Sequence, residues 1–200
     1  MPPLDTPDGP RRYLRSHYAG VVLVGETVFR RRFVVDPASG KVVLALSAAA
    51  GEAESVVFHV PDEHADGLHI LVEPRVLPEG ALSDRLLVYH GRAEGTQFAM
   101  LEPLDAKWRG QGLELEQVLA PNPLVKDEPK LCRLINTTPD GPARLLRLLG
   151  ARETHEPLVV GIDPWGLDVR SRVGMTRVEF REQLPVDQVF ATIEGWLRST

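Results

Sequence analysis

The chain is 200 residues long, 43% hydrophobic and 26% charged, with a net charge of −5 at pH 7. That balance excludes broad nonspecific nucleic-acid binding, which needs clustered cations to displace counterions, and no apolar run reaches the ~20 residues of a membrane span. Cys132 is the only cysteine, which excludes an intramolecular disulfide and fits a reducing cytoplasm. Met1 is followed by Pro and Asp, not by the basic and then apolar pattern of a secretion signal. The expectation is a soluble cytoplasmic protein of one domain, or of a main domain with a small one.

In chain order, "MPPLDTPDGP" has no periodic pattern and reads as a tail. "RRYLRSHYAG" reads as a short helix capped by Gly20. "VVLVGETVFRRRFVVDPASGKVVLALS" reads as strands broken at Gly25 and at the Asp36–Gly40 turn. "SVVFHV" and "LHILVEPRV" are two more strands, so this half is mostly antiparallel β, a barrel or a sandwich. In "GALSDRLLVYHG" the period changes: Leu82, Leu86 and Tyr89 share a helical face that Gly91 ends. "TQFAMLEPL" is a strand and "LELEQVLA" a short helix. "DEPKLCRLIN" and "DGPARLLRLLG" are helices with Asp127 and Asp140 as N-caps and Gly150 closing the second. The last helix carries Val186, Val189, Phe190, Ile193, Trp196 and Leu197 on one stripe. The predicted organisation is a tail and short helix over 1–18, a β-rich domain over 19–120, and a helix–hairpin–helix domain over 121–200.

"VVGIDPWGLDVRSRVGMTRVEF" predicts a strand, a β-turn with Pro164 second and Gly166 fourth, and a hairpin. A two-residue turn at Gly174–Met175 sets Arg172 opposite Arg177, Arg170 opposite Glu179 and Asp168 opposite Arg181. Leu167, Val169, Val173, Val178 and Phe180 then form the apolar face. The like-charge Arg172/Arg177 pair is a candidate anion contact with Arg170, or else part of a solvated face.

Three further groups carry candidate chemistry. "HVPDEHADGLH" spaces His59, His64 and His69 evenly. A loop centred on His64 makes His59 and His69 cross-strand neighbours, their Cβ atoms roughly 5 Å apart. The three are candidate ligands for zinc, iron or heme, or a polar connection between strands. In "FRRRF", Arg30 and Arg32 face one way, and Phe29, Arg31 and Phe33 the other. The strand offers guanidinium groups to a propionate or phosphate, or is an edge protected by charge. His90, at the end of its helix, is a candidate ligand or general base, or a capping histidine. Cys132 reads as a buried small hydrophobe. No GxSxG, P-loop or CxxC motif is present.

Several segments in order resemble the heme-utilisation proteins, split-barrel relatives of the pyridoxamine 5′-phosphate oxidase-like flavin-binding barrels. They are "RLLVYHGRA", "TQFAMLEPLDAKWRG" and "INTTPDGPARLLRLLG…VVGIDPWGLDVR…RVEFREQLPVDQVFATIEGWL". The last is similar to the small C-terminal domain of those proteins. The resemblance implies an α+β chain: a six-stranded antiparallel split barrel followed by a helix–β-hairpin–helix domain. It also implies a homodimer with a small-molecule ligand, a tetrapyrrole or a flavin, near the dimer interface. Relatives bind heme or flavin mononucleotide, some cleave heme, and others bind partners without catalysis. Arg30, Arg31, Arg32, Ser47, His90, Arg170, Arg172 and Arg177 become candidate cofactor contacts. Two departures weigh against flavin mononucleotide, whose phosphate needs donors and positive charge. Asp36 stands near an expected cation, and "SAAAGEAES" offers Ser47 with no Lys or Arg. The helix start "NTTPDG" also lacks the family's histidine. The leading expectation is a heme-binding protein, with a cofactor-free scaffold or regulator as the alternative and a flavin-dependent oxidoreductase third.

Overall fold

A computed structural model describes residues 8–152 and 154–198; residues 1–7, with most of the expected tail, lie outside the described residues. The chain divides into two compact units, Met1–Pro121 and Asn122–Thr200.

The first unit runs α1 (Gly9–Arg15), β1 (Ala19–Val24), β2 (Thr27–Val35), β3 (Val42–Leu46), α2 (Ala48–Gly51), β4 (Val56–Val60), β5 (Leu68–Leu77), α3 (Ala81–His90), β6 (Gln97–Trp108), β7 (Gln111–Leu113) and α4 (Leu115–Val118). The strands lie in the order β3-β2-β1-β4-β5-β6-β7, and β3 also pairs with β6. That second pairing closes six antiparallel strands into a barrel, with β7 an added strand on β6. Length explains the closure: β6 runs far enough for Gln97–Leu101 to pair with β3 while β5 pairs along its other side. The period-2 pattern then puts one apolar set inside. Val22, Phe33, Leu44, Phe58, Leu68 and Ile70 are all buried, and Phe33 meets Phe58 edge to face, ring centroids 5.3 Å apart. Helix α3 packs against β2 and β3, presenting Ser83, Leu86 and Tyr89, and Gly91 ends it in the left-handed region at φ 74°.

Gly20 does not cap a helix. Helix α1 ends at Arg15, where the Ser16 N–H donates to Arg12 O and the Ser16 hydroxyl to Tyr13 O. Gly20 instead lies in β1, where a Cβ would sit 2.6 Å from His59 O and 2.7 Å from the Phe58 ring. The glycine lets β1 pass close over β4.

The second unit runs α5 (Glu128–Thr137), α6 (Gly141–Leu148), β8 (Leu158–Asp163), β9 (Gly166–Ser171), β10 (Gly174–Glu179) and α7 (Val189–Arg198). Among the described residues it is thus two helices, a three-stranded antiparallel sheet in the order β10-β9-β8 and a last helix. Leu131, Ile135, Leu145, Leu167, Val169 and Ile193 are buried together. Asn136, in the last turn of α5, donates to Val159 O at 2.8 Å and accepts from Val159 N at 2.9 Å, so the amide stands in for a neighbouring strand on β8. Asp127 and Asp140 occupy the N-cap positions without side-chain cap bonds. Gly150, at φ 69°, closes α6: the Gly150 N–H donates to Arg147 O and that of Ala151 to Leu146 O, the pairing of a Schellman motif. Val186 lies before α7 and is 45% exposed, so the apolar stripe begins at Val189.

The hairpin register differs from the expectation. Ser171 faces Gly174, Arg170 faces Met175 and Asp168 faces Arg177, so the turn is Arg172–Val173, and Val173 is 88% exposed. The displacement is even, so the paired side chains keep their faces, and Val173, expected on the apolar face, moves into the turn. Charge favours the observed register. Arg177, 8% exposed at its side chain, pairs with Asp163 at 2.5 Å and Asp168 at 2.8 Å, instead of facing Arg172.

Candidate functional site

The outer face of the barrel carries two adjacent cross-strand rows. Strand alternation directs Phe58 and Val60 inward, so His59 and Val57 point out. Register then builds the first row across β2, β1, β4, β5 and β6: Arg30, Val21, His59, His69 and Lys107. The second row, one residue pair further along, is Val28, Leu23, Val57 and Leu71, ending at Asp105. Val28 is 53% and Leu71 38% exposed, so this row is an apolar strip open to solvent.

His59 and His69 are direct register partners, as expected, with ring centroids 4.5 Å apart at 78°. His69 Nε2 lies 2.8 Å from His64 O; a carbonyl only accepts, so this nitrogen carries the proton, and in the neutral ring Nδ1 is bare. His59 is 7% exposed, and both its ring nitrogens are enclosed without a hydrogen-bond partner. Burial, and secondarily the neighbouring His69, lower its pKa from 6.5; Lys107 acts in the same sense, while Glu63 and Asp62 oppose it. Beside the pair, Val21, Asp62, Glu63 and His64 line a cavity of about 340 Å³. His64 joins the pair through its backbone carbonyl. Among the described residues no group of three or more His, Cys, Asp or Glu side chains is disposed to hold a metal ion, so the three-histidine metal set is not assembled.

This pair sets a pH dependence. An unfolded chain protonates His59 near pH 6.5, whereas the folded chain resists it. Stability from this site is therefore complete above that pH and falls as pH drops through it towards the lower folded value. Urea unfolding at a series of pH values is expected to give a shallower slope below pH 6.5 for His59→Phe than for the parent chain. Equal slopes would remove His59 as the cause. His90, whose pKa is also lowered by burial, remains in both proteins.

The other expected contacts lie elsewhere or are already engaged. Arg31 lies over the Phe29 ring, 5.1 Å from its centroid, and donates to Arg30 O. Arg32 and Arg92 both lie near Glu94, at 3.9 and 3.8 Å. The Ser47 hydroxyl caps α2 by accepting from Ala50 N. His90 Nε2–H donates to Phe33 O at 2.9 Å, which ties α3 to β2. Arg170, Arg172 and Arg177 belong to the other unit, and Arg177 is held by its two aspartates, so the Arg172/Arg177 anion contact is not formed. Sequence reasoning missed Lys107 and the open strip through Leu71. Finding the strip needs the registers of β2, β1, β4 and β5, and finding Lys107 needs that of β5 and β6, which shifts at a bulge between Leu71 and Val72.

No family model matches the sequence, and no curated protein matches it. Among solved structures, the chain is similar to the protein Atu2129 from Agrobacterium tumefaciens str. C58, described as of unknown function. The two share 17% identity over 98% of this chain and 99% of that one, with a TM-score of 0.68. At that identity the likeness speaks for the fold alone.

Proposed function

We propose that the chain is a homodimeric ligand-binding protein of the heme-utilisation type, taking heme or a related tetrapyrrole on the outer barrel face. The observation that carries the reading is the His59–His69 pair, a buried imidazole without hydrogen-bond partners beside one with a bare Nδ1. The residues fit the chemistry of the group. An apolar macrocycle needs an apolar floor, which Val28, Leu23, Val57 and Leu71 supply. Iron takes an imidazole nitrogen; His69, half-buried, offers one, and His59 backs it. Carboxylate side groups need cations, and Arg30 and Lys107 stand at the two ends of the histidine row. A ligand lying on this open strip would sit where a second copy could cover it, at a two-fold axis.

Hemin added to purified protein is expected to give a shifted Soret band that His69→Ala abolishes and that His90→Ala leaves in place. Flavin mononucleotide is the comparison probe. A yellow complex with no response to hemin would replace this reading with the flavin one. The scaffold reading rests on a different observation: Ser47 and Arg31, where a phosphate contact is expected, serve a helix cap and an aromatic contact. No spectral change with either probe would favour it.

A further inference from the structure

We infer that the C-terminal unit holds a separate site for a small amphipathic zwitterion of the apolar amino-acid class, in a cavity between the end of α6, the segment after β10 and α7. The cavity is about 400 Å³, within the range of small-molecule sites. Leu148, Leu149 and Leu184 give it an aliphatic lining, and Phe180 and Trp196 form an aromatic wall, edge to face at 5.5 Å. Phe180 is 5% exposed and fixed in the core, whereas Leu148 is 39% exposed towards solvent.

The charges on this cavity identify the class. Arg181 and Glu182 both line it, both are exposed, and neither has an ion pair or hydrogen bond among the described residues. An apolar anion would satisfy Arg181 and be repelled by Glu182; an apolar cation would do the reverse. A neutral apolar molecule would use neither charge. A ligand carrying a carboxylate, an ammonium and a compact apolar body answers each group once.

The test is a titration of the full chain with L-phenylalanine and L-leucine, following the Trp196 indole N–H resonance by NMR. Two truncated probes, 3-phenylpropionate without the ammonium and phenethylamine without the carboxylate, separate the two charges. Saturable shifts with the amino acids are expected, at least about tenfold weaker for either truncated probe and for either Arg181→Ala or Glu182→Gln. Both substitutions are at exposed positions, so resonances away from the cavity should be unchanged and report an intact fold. An absent shift up to the solubility limit, equal binding of 3-phenylpropionate, or indifference to both substitutions overturns the assignment.

Discussion

Replacing Arg177 with methionine is expected to destabilise the C-terminal unit by about 3–5 kcal/mol, the cost of leaving a buried charge without its partner. Asp163 and Asp168 are 3% and 15% exposed at their side chains, so water does not take over the role of the guanidinium. Asp163 also accepts from the Trp165 and Gly166 N–H groups, so the turn between β8 and β9 depends on the same carboxylate. The measurement is urea unfolding with amide exchange followed separately in the two units. Protection should fall in β8, β9 and β10 and persist in the barrel. Arg172→Met, on the exposed turn, is the control and should change stability by no more than about 0.5 kcal/mol. A loss below about 1 kcal/mol for Arg177→Met, the scale of an exposed pair, would defeat the argument.

The same residue marks how far the sequence could be read. Alternation placed Leu167, Val169, Val173, Val178 and Phe180 on the buried face; four of them are buried, while Val173, in the turn, is 88% exposed. It could not locate the turn, because a displacement by an even number of residues leaves the faces of the paired residues unchanged. Arg177 pairs with its register partner Asp168 and also with Asp163, across the neighbouring turn, and pairwise strand reasoning does not reach the second of these. Gly20 shows the same limit: its position after a helical segment suggested a cap, while its true constraint is the approach of β1 to β4. Barrel strands, with their strong period and clear turns, were legible. So was the His59–His69 pairing, because the loop between them is short and symmetric. The burial of His59 was not, nor was the apolar strip beside them, since Val28, Leu23, Val57 and Leu71 come from four strands and meet only through register.

Phe58 and His59 occupy opposite faces of β4, and this joins the core to the candidate site. Phe58→Ala is expected to cost the barrel about 3–5 kcal/mol. Phe58 is fully buried, and the edge-to-face contact with Phe33 adds about 0.5–1.5 kcal/mol, readable in a double-mutant cycle with Phe33→Leu. Phe58→Leu keeps an apolar side chain inside and should cost far less. The rank order should carry over to the outer face. The Phe58 ring also meets the space above Gly20, and Gly20 lies against the His59 carbonyl. A cavity at Phe58 therefore loosens the strand that holds His59 against His69. Hemin binding, if it uses this pair, should weaken in Phe58→Ala at temperatures where the variant remains folded, and be kept in Phe58→Leu. If Phe58→Ala loses less than about 1.5 kcal/mol, as a volume-conserving change would, the barrel interior is not the packed core described above. If its stability falls as expected while hemin binding is untouched, strand β4 does not couple core and site, and the ligand must be held elsewhere on the barrel.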